Sequence, residues 1–159
     1  MTSVLHNGDR FPELTIDVVG GGRISLPDDL AGSYGVVLLY RGAWCPYCNA
    51  QLAVFARAAS TLSTLGISVV ALSVDDEPTS AALVEKLGLP FPVGYGADAN
   101  SIAAAVGAYT HDHPTYLQST GFVLDPGGKV LVAAYSSDAI GRLVAEDVAG
   151  LVRYVKAHT

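Results

Sequence analysis

The sequence predicts an α/β fold in which a mixed central β-sheet carries helices on both faces and an N-terminal β-hairpin extension. Three observations carry this. Two almost continuously apolar runs, Gly35–Tyr40 and Ile67–Val74, are separated by a stretch with helical periodicity. Such runs fit strands buried on both faces, and strand–helix–strand with a crossover of this length implies a parallel pair with a right-handed connection. Near the C-terminus, Gly121–Asp125 and Lys129–Tyr135 flank Pro126-Gly127-Gly128, a hairpin signal with glycine available for positive φ. At the N-terminus, Val19-Gly20-Gly21-Gly22 is a turn between short strands at Leu14–Val18 and Arg23–Leu26.

The remaining elements follow in order. After the first buried strand, Leu52, Phe55, Ala56, Ala59 and Leu62 recur mostly at spacings of three and four. They form one apolar face of a helix that ends near Gly66, a suitable C′ residue. Asp75 to Ser80 is a loop and helix start, its acids placed where the helix dipole favours them. Ala81–Leu87 is helical and Gly88 stops it. Phe91–Gly94 reads as a short strand, and Ser101–Val106 as a short helix capped by Asn100. Leu143–His158 is the last helix, with Val148, Leu151, Val152 and Val155 on one face. A βαβ half followed by a ββα half is the plan of the thioredoxin fold. At 159 residues the chain is expected to form a single domain, 1–159. A chain of this size buries about 68–70% of its unfolded surface and needs no staples.

Composition narrows the function. Half the residues are hydrophobic, 15% are charged and the mean hydropathy is +0.38, which excludes a disordered chain. The net charge is −6 and the pI about 4.9. The few Lys and Arg are scattered, whereas a phosphate-binding surface needs them clustered, so neither nucleic acid nor an anionic membrane is an expected partner. The longest clean apolar run, Val130–Tyr135, is far too short to span a bilayer. The opening MTSVLHNGDR lacks a basic segment followed by an apolar one, so no signal peptide is expected. The sequence thus reads as soluble and cytoplasmic.

Both cysteines of the chain fall in one tetrapeptide, Cys45-Pro46-Tyr47-Cys48. A bridge there closes almost no loop, so stapling does not explain them, and cytosolic thiols are normally reduced. They serve reactivity or a metal. The motif sits between a buried strand and a helix, where unpaired N–H groups and the helix dipole stabilise a thiolate. Pro46 falls at the first helical position, where its missing N–H has no consequence. Cys48 lies one turn on, close enough to attack sulfur on Cys45 and more covered than a Cys45 at the helix mouth. Arg41, four residues before Cys45, adds positive potential or is a solvated loop charge.

The competing zinc reading needs two further ligands. His111 and His113 are the only candidate pair, since His6 and His158 are isolated near the termini. Their spacing is not that of a zinc finger, and they read as plain loop residues before Pro114. A redox role is preferred and no metal is expected. Trp44 reads either as a wall beside the thiol or as ordinary core packing. Tyr47, in the middle of the motif, tunes the site without chemistry of its own.

Three segments carry a resemblance to the redoxin branch of the thioredoxin superfamily, which includes the alkyl hydroperoxide reductase/thiol-specific antioxidant family, the peroxiredoxins. Gly8-Asp9-Arg10-Phe11-Pro12 with Leu14 resembles its G-D-x-x-P entry segment. Tyr40-Arg41-Gly42-Ala43-Trp44-Cys45-Pro46-Tyr47-Cys48 resembles the active-site loop of peroxiredoxin-like members, and its W-C-P-Y-C string is similar to both thioredoxin and glutaredoxin sites. Gly121 to Val130 resembles the hairpin T-F-V-I-D-x-x-G-K-V. Order and spacing match along nearly the whole chain.

The resemblance implies a thiol-dependent oxidoreductase of antioxidant type. Cys45 would be the nucleophile and Cys48 the resolver, supported by Arg41, Trp44 and Pro46. Its substrate would be a small peroxide, or a disulfide if the protein acts as a disulfide reductase. An external thiol reductant such as a thioredoxin-like protein would reset the pair. No cofactor is implied, and a homodimer is the candidate assembly. A non-catalytic zinc- or partner-binding module is the reading from another class. Two positions depart from the family pattern: Gly42 stands where a Thr or Ser is usual, and Ser119 where an Arg is usual. Pro114 is five residues too early for the cis-proline of thioredoxin-like reductases. Whether Arg41 or Arg142 compensates depends on the fold.

Overall fold

The computed structural model describes residues 3–159. Its centre is a five-stranded mixed sheet. Strands β3 (Tyr34–Leu39) and β4 (Ile67–Leu72) are parallel, joined through helix α1 (Pro46–Thr64). The short β5 (Val93–Gly94) adds in parallel beside β4, after helix α2 (Glu77–Leu87). On the other side β8 (Thr120–Leu124) runs antiparallel to β3, and β9 (Val130–Tyr135) antiparallel to β8, giving the order β5-β4-β3-β8-β9. Helix α4 (Ala145–Ala157) closes the ββα half.

Side chains alternate across the sheet because strand residues point to opposite faces in turn. Val36 and Leu38 of β3, with Val69 and Ala71 of β4, face a core built with Leu52, Phe55 and Leu62 of α1, Leu83 of α2, and Val148 and Val152 of α4. Val37 and Leu39, with Val70 and Leu72, face the second core. There they meet Phe11, the β1–β2 hairpin (Leu14–Asp17 and Arg23–Leu26) and helix α3 (Ala99–Val106). Helices therefore cover both faces, with the N-terminal hairpin lying over the α3 side. Thioredoxin-fold architecture is what this arrangement amounts to.

Differences from the sequence reading have local causes. The α3 cap is Asp98, whose carboxylate accepts the N–H of Ser101 at 3.0 Å, so Asn100 is already helical. Leu143 precedes α4, whose N-cap is Val144. The stretch read as a plain loop around His111 contains a small hairpin, β6 (Thr110–His111) and β7 (Tyr116–Leu117), turning through a cis His113–Pro114 bond. Asp28–Leu30 forms a 3-10 turn, an element without an apolar period to mark it in the sequence.

Each edge of the main sheet carries a piece of the N-terminal region. Val18 bridges Gly94 beside β5, with Val19 N–H donating to the carbonyl of Val93 at 2.9 Å. Along β9, Gly8 N–H donates to the Val130 carbonyl and Val130 N–H to the Asp9 carbonyl, both at 2.8 Å.

Candidate active site

The fold delivers the Cys-Pro-Tyr-Cys motif to the C-terminal end of β3. Cys45 is the N-cap of α1 and Pro46 takes the first helical position. The Cys48 N–H donates to Cys45 Sγ at 3.3 Å, so the sulfur does the work of a capping oxygen. The loop before it is held on two sides. Asp75, just beyond β4, accepts the Ala43 N–H at 2.8 Å, and Asn49 Nδ2 donates to the Ala43 carbonyl at 3.0 Å. Cys48 sits on the buried face of α1 with Leu52 and Phe55 and accepts the Arg41 N–H at 3.4 Å.

Two guanidinium groups converge on the sulfurs. Arg41 Nη1 lies 3.7 Å from Cys45 Sγ. Its Nε donates to Gln118 Oε1 at 3.0 Å and its Nη2 to Tyr116 Oη at 3.1 Å. Asp138 pairs with the same Nη2 at 3.6 Å, and the Arg41 side chain is only 13% exposed. A solvated loop charge is therefore not what Arg41 is. Arg142, from the segment between β9 and α4, places Nη2 3.8 Å from Cys45 Sγ and 3.0 Å from Cys48 Sγ. Its Nη1 donates to Gln51 Oε1 at 2.6 Å and its Nε to the Ala139 carbonyl. An opposite charge within about 4–6 Å favours the ionised form of a thiol.

The two thiols respond in opposite directions. Burial pushes Cys45 up, but hydrogen bonds from the Cys48 thiol and N–H and from Arg41, with the charge of Arg142, bring it below the ordinary value. Burial and the neighbouring Cys45 push Cys48 above the ordinary value, against the pull of the Arg41 N–H and of Arg142. This asymmetry makes Cys45 the better thiolate. The expected difference in cover is not found: both cysteines are free and both are 0% exposed. Cys45 lies against two guanidiniums as well as Cys48, so a side chain must move before any substrate reaches its sulfur.

Trp44 is not ordinary core packing. It is 55% exposed, packs edge-on against Tyr116 at 5.0 Å and has the Arg41 guanidinium 4.8 Å over its ring. The indole occupies the space that a side chain at Gly42 would need. Ser119 is buried beside the site region, its N–H donating to the Asp138 carbonyl at 3.4 Å. The guanidiniums come instead from positions 41 and 142. His111 stacks on Tyr116 at 4.6 Å. Among the described residues no group of three or more His, Cys, Asp or Glu comes together to hold a metal ion.

Tyr116, Gln118, Gln51 and Asp75 were not singled out from the sequence. Gln51 had a detectable signal, a polar residue one helical turn after Cys48 on an apolar face. Tyr116 and Gln118 had only the period-2 spacing that puts them on one side of an extended segment.

A family model described as the AhpC/TSA family matches residues 7–133. A peroxiredoxin of Treponema denticola is 30% identical over 154 residues, covering 94% of this chain and 72% of the relative. A putative peroxiredoxin of Mycobacterium tuberculosis is 31% identical over 148 residues, covering 89% and 92%. Among solved structures, the peroxidoxin BcpB from Mycobacterium tuberculosis superposes with a TM-score of 0.82 at 21% identity, covering 95% of this chain and 98% of that one. The AhpC of the same organism superposes with a TM-score of 0.82 at 18% identity, covering 98% and 96%. These structural likenesses speak to the fold; the family model and the sequence relatives establish that this chain belongs to the AhpC/TSA family.

Proposed function

We propose that this chain reduces peroxides through a dithiol–disulfide cycle in which Cys45 is the peroxidatic thiol and Cys48 resolves it. Thiol-dependent peroxide reduction is the activity its family indicates; the assignment to these two residues is our reading. The observation that carries it is the meeting of two guanidiniums with one sulfur at a helix N-terminus, at 3.7 Å from Arg41 and 3.8 Å from Arg142.

In the first step the Cys45 thiolate attacks one peroxide oxygen. An S–O bond forms and the O–O bond breaks. The other oxygen leaves with the electron pair and takes up a proton as water or an alcohol, and the sulfur becomes a sulfenic acid. Negative charge develops on the leaving oxygen. A preorganised donor aimed at such charge is worth roughly two to three decades of rate, and the two arginines are placed to supply it where the usual Thr or Ser and Arg are missing. Cys48 then forms the disulfide, and an external dithiol, such as a thioredoxin-like protein, reduces it by exchange. A cytoplasmic location belongs to the same reading, because a pair that must be re-reduced works where a thiol pool is maintained. Among the described residues no helix is long and apolar enough to cross a membrane.

The test is stopped-flow reaction of the reduced protein with hydrogen peroxide, an organic hydroperoxide and a small disulfide. The peroxides should oxidise both thiols at a rate well above that of a free thiolate. Cys45→Ser should abolish turnover, and Cys48→Ser should stop at a trapped sulfenate. Normal turnover in Cys45→Ser overturns the assignment of roles. A fast reaction with the disulfide alone would make the chain a disulfide reductase.

A further inference from the structure

Arg142 contacts both sulfurs, but not equally. Its Nη2 lies 3.0 Å from Cys48 Sγ and 3.8 Å from Cys45 Sγ. Arg41 is arranged the other way: its guanidinium reaches Cys45, while only its main-chain N–H reaches Cys48. Arg41 also shares its charge with Asp138, whereas among the described residues Arg142 pairs with no carboxylate. Its orientation is fixed instead by a neutral residue. Gln51 Oε1 accepts Arg142 Nη1 at 2.6 Å, and Gln51 Nε2 donates to the Leu143 carbonyl at 2.9 Å, so one side chain on α1 grips both the guanidinium and the next peptide.

Cys48 faces few charged or titratable groups. Cys45 and Arg142 lie against it, and the buried phenol of Tyr40 is near enough to feel its charge. Asp138 is engaged by Arg41, and the Asp75 carboxylate by the Ala43 N–H. Burial and the adjacent Cys45 disfavour a Cys48 thiolate in the reduced enzyme. Once Cys45 has become a sulfenic acid it no longer holds the thiolate. Cys48 is then the remaining thiol beside an unneutralised guanidinium.

We propose that Arg142 is the catalytic residue of the resolving step, generating the Cys48 nucleophile, and that Gln51 is its positioning residue. The inference rests on the peroxidase reading above. In this step the Cys48 thiolate attacks the sulfenic sulfur of Cys45. The S–S bond forms and the S–O bond breaks. The oxygen leaves as hydroxide and is protonated to water, so the Cys48 sulfur is oxidised as the sulfenic sulfur is reduced. The two arginines divide the cycle: Arg41 serves chiefly the attack on peroxide, Arg142 chiefly the closure of the disulfide.

The experiment follows both steps in one trace. Trp44, the sole tryptophan, lies against Arg41 and provides the fluorescence signal. Reduced protein mixed with excess hydrogen peroxide should show a concentration-dependent phase, then a concentration-independent one for resolution. Arg142→Met should slow the second phase about 100-fold, the effect of losing one aimed donor, and the first phase by less. Gln51→Leu should slow the second phase about 10-fold, the low end for losing a hydrogen bond to a charged group, and move its pH profile upward. Arg142→Lys should recover part of both. A second arm needs no peroxide. An aromatic disulfide placed on Cys45 should be displaced by Cys48, with release of the second aromatic thiolate slowed in the same order across the variants. Equal slowing of both phases, or a resolution pH profile unmoved by Gln51→Leu and Arg142→Met, overturns the proposal. Loss of the peroxide phases in the unmodified protein with a normal second arm would overturn the peroxidase reading and leave the role of Arg142 standing. Gln51→Leu and Arg142→Lys decide the matter if Arg142→Met does not fold.

Discussion

A Cβ atom added to Gly42 would lie 2.2 Å from Nε1 of Trp44 and 2.7 Å from its Cδ1. The missing side chain at position 42 and the indole two residues later are therefore one feature: the ring lies in the volume that a larger residue would fill. Gly42→Thr should dislodge Trp44 from its edge-on contact with Tyr116 and from under Arg41. We expect a changed emission spectrum, a stability loss of about 1–3 kcal/mol, as for overpacking, and no gain in peroxide rate. A faster variant with unaltered emission would show that the hydroxyl, and not the space, is what this position lacks.

Arg41 spans Tyr116, Gln118 and the Cys45 sulfur with one planar fork. Arg41→Ala should lower the peroxide rate constant by about 100-fold or more and raise the pH midpoint for Cys45 alkylation. In the unmodified protein that midpoint should fall below the value of about 8.5 for a free thiol. Arg41→Lys should restore little, because a point charge cannot reproduce the fork. Alkylation rate against pH for the three proteins checks both statements.

Asp75 is half-buried, and burial raises its carboxyl above the ordinary value against the opposing pull of the Ala43 N–H. An acid raised in the folded state favours folding fully below its unfolded pKa. That contribution is lost as pH rises through the folded value. Asp75→Asn keeps an acceptor for Ala43 without a charge to desolvate. Its melting temperature should therefore exceed the wild type at neutral pH, and the gap should close as pH falls below about 3.9, the unperturbed value. A gap that widens on acidification would contradict the assignment.

Phe55 carries no exposed surface and packs on the same face of α1 as Cys48 and Leu52. Phe55→Ala should remove about 3–5 kcal/mol of stability, or roughly 6–20 °C in thermal midpoint for a domain of this size. Circular dichroism melts measure it directly. If the midpoint barely moves, α1 is not anchored through this face.

Periodic apolar patterns were legible: β3, α1 and β4 followed from runs and spacings within one stretch of chain, and Pro46 at the start of α1 followed from helix-capping rules. The order of the two halves, βαβ and then ββα, followed from the same runs and from the turn at Pro126-Gly127-Gly128. What could not be read was anything assembled across the sheet. Arg142 could be named as a candidate, but its distance to Cys45 depends on how the segment before α4 returns over α1. Tyr116 sits in, and Gln118 just after, a small hairpin whose sequence, rich in His, Asp and Pro, looks like a loop. The cover over Cys45 was misjudged for the same reason, since a helix-mouth position says nothing about long side chains arriving from elsewhere.

The N-terminal strip that bonds to Val130 and the hairpin that bridges Gly94 mean that neither border of the main sheet presents a wholly free row of backbone donors and acceptors. Unpaired borders are where β proteins recruit further copies of themselves into aggregates. Deleting the strip up to Asp9 would uncover the start of β9 without removing either cysteine or either guanidinium. Such a shortened chain would offer one border of the sheet for pairing with further copies of itself.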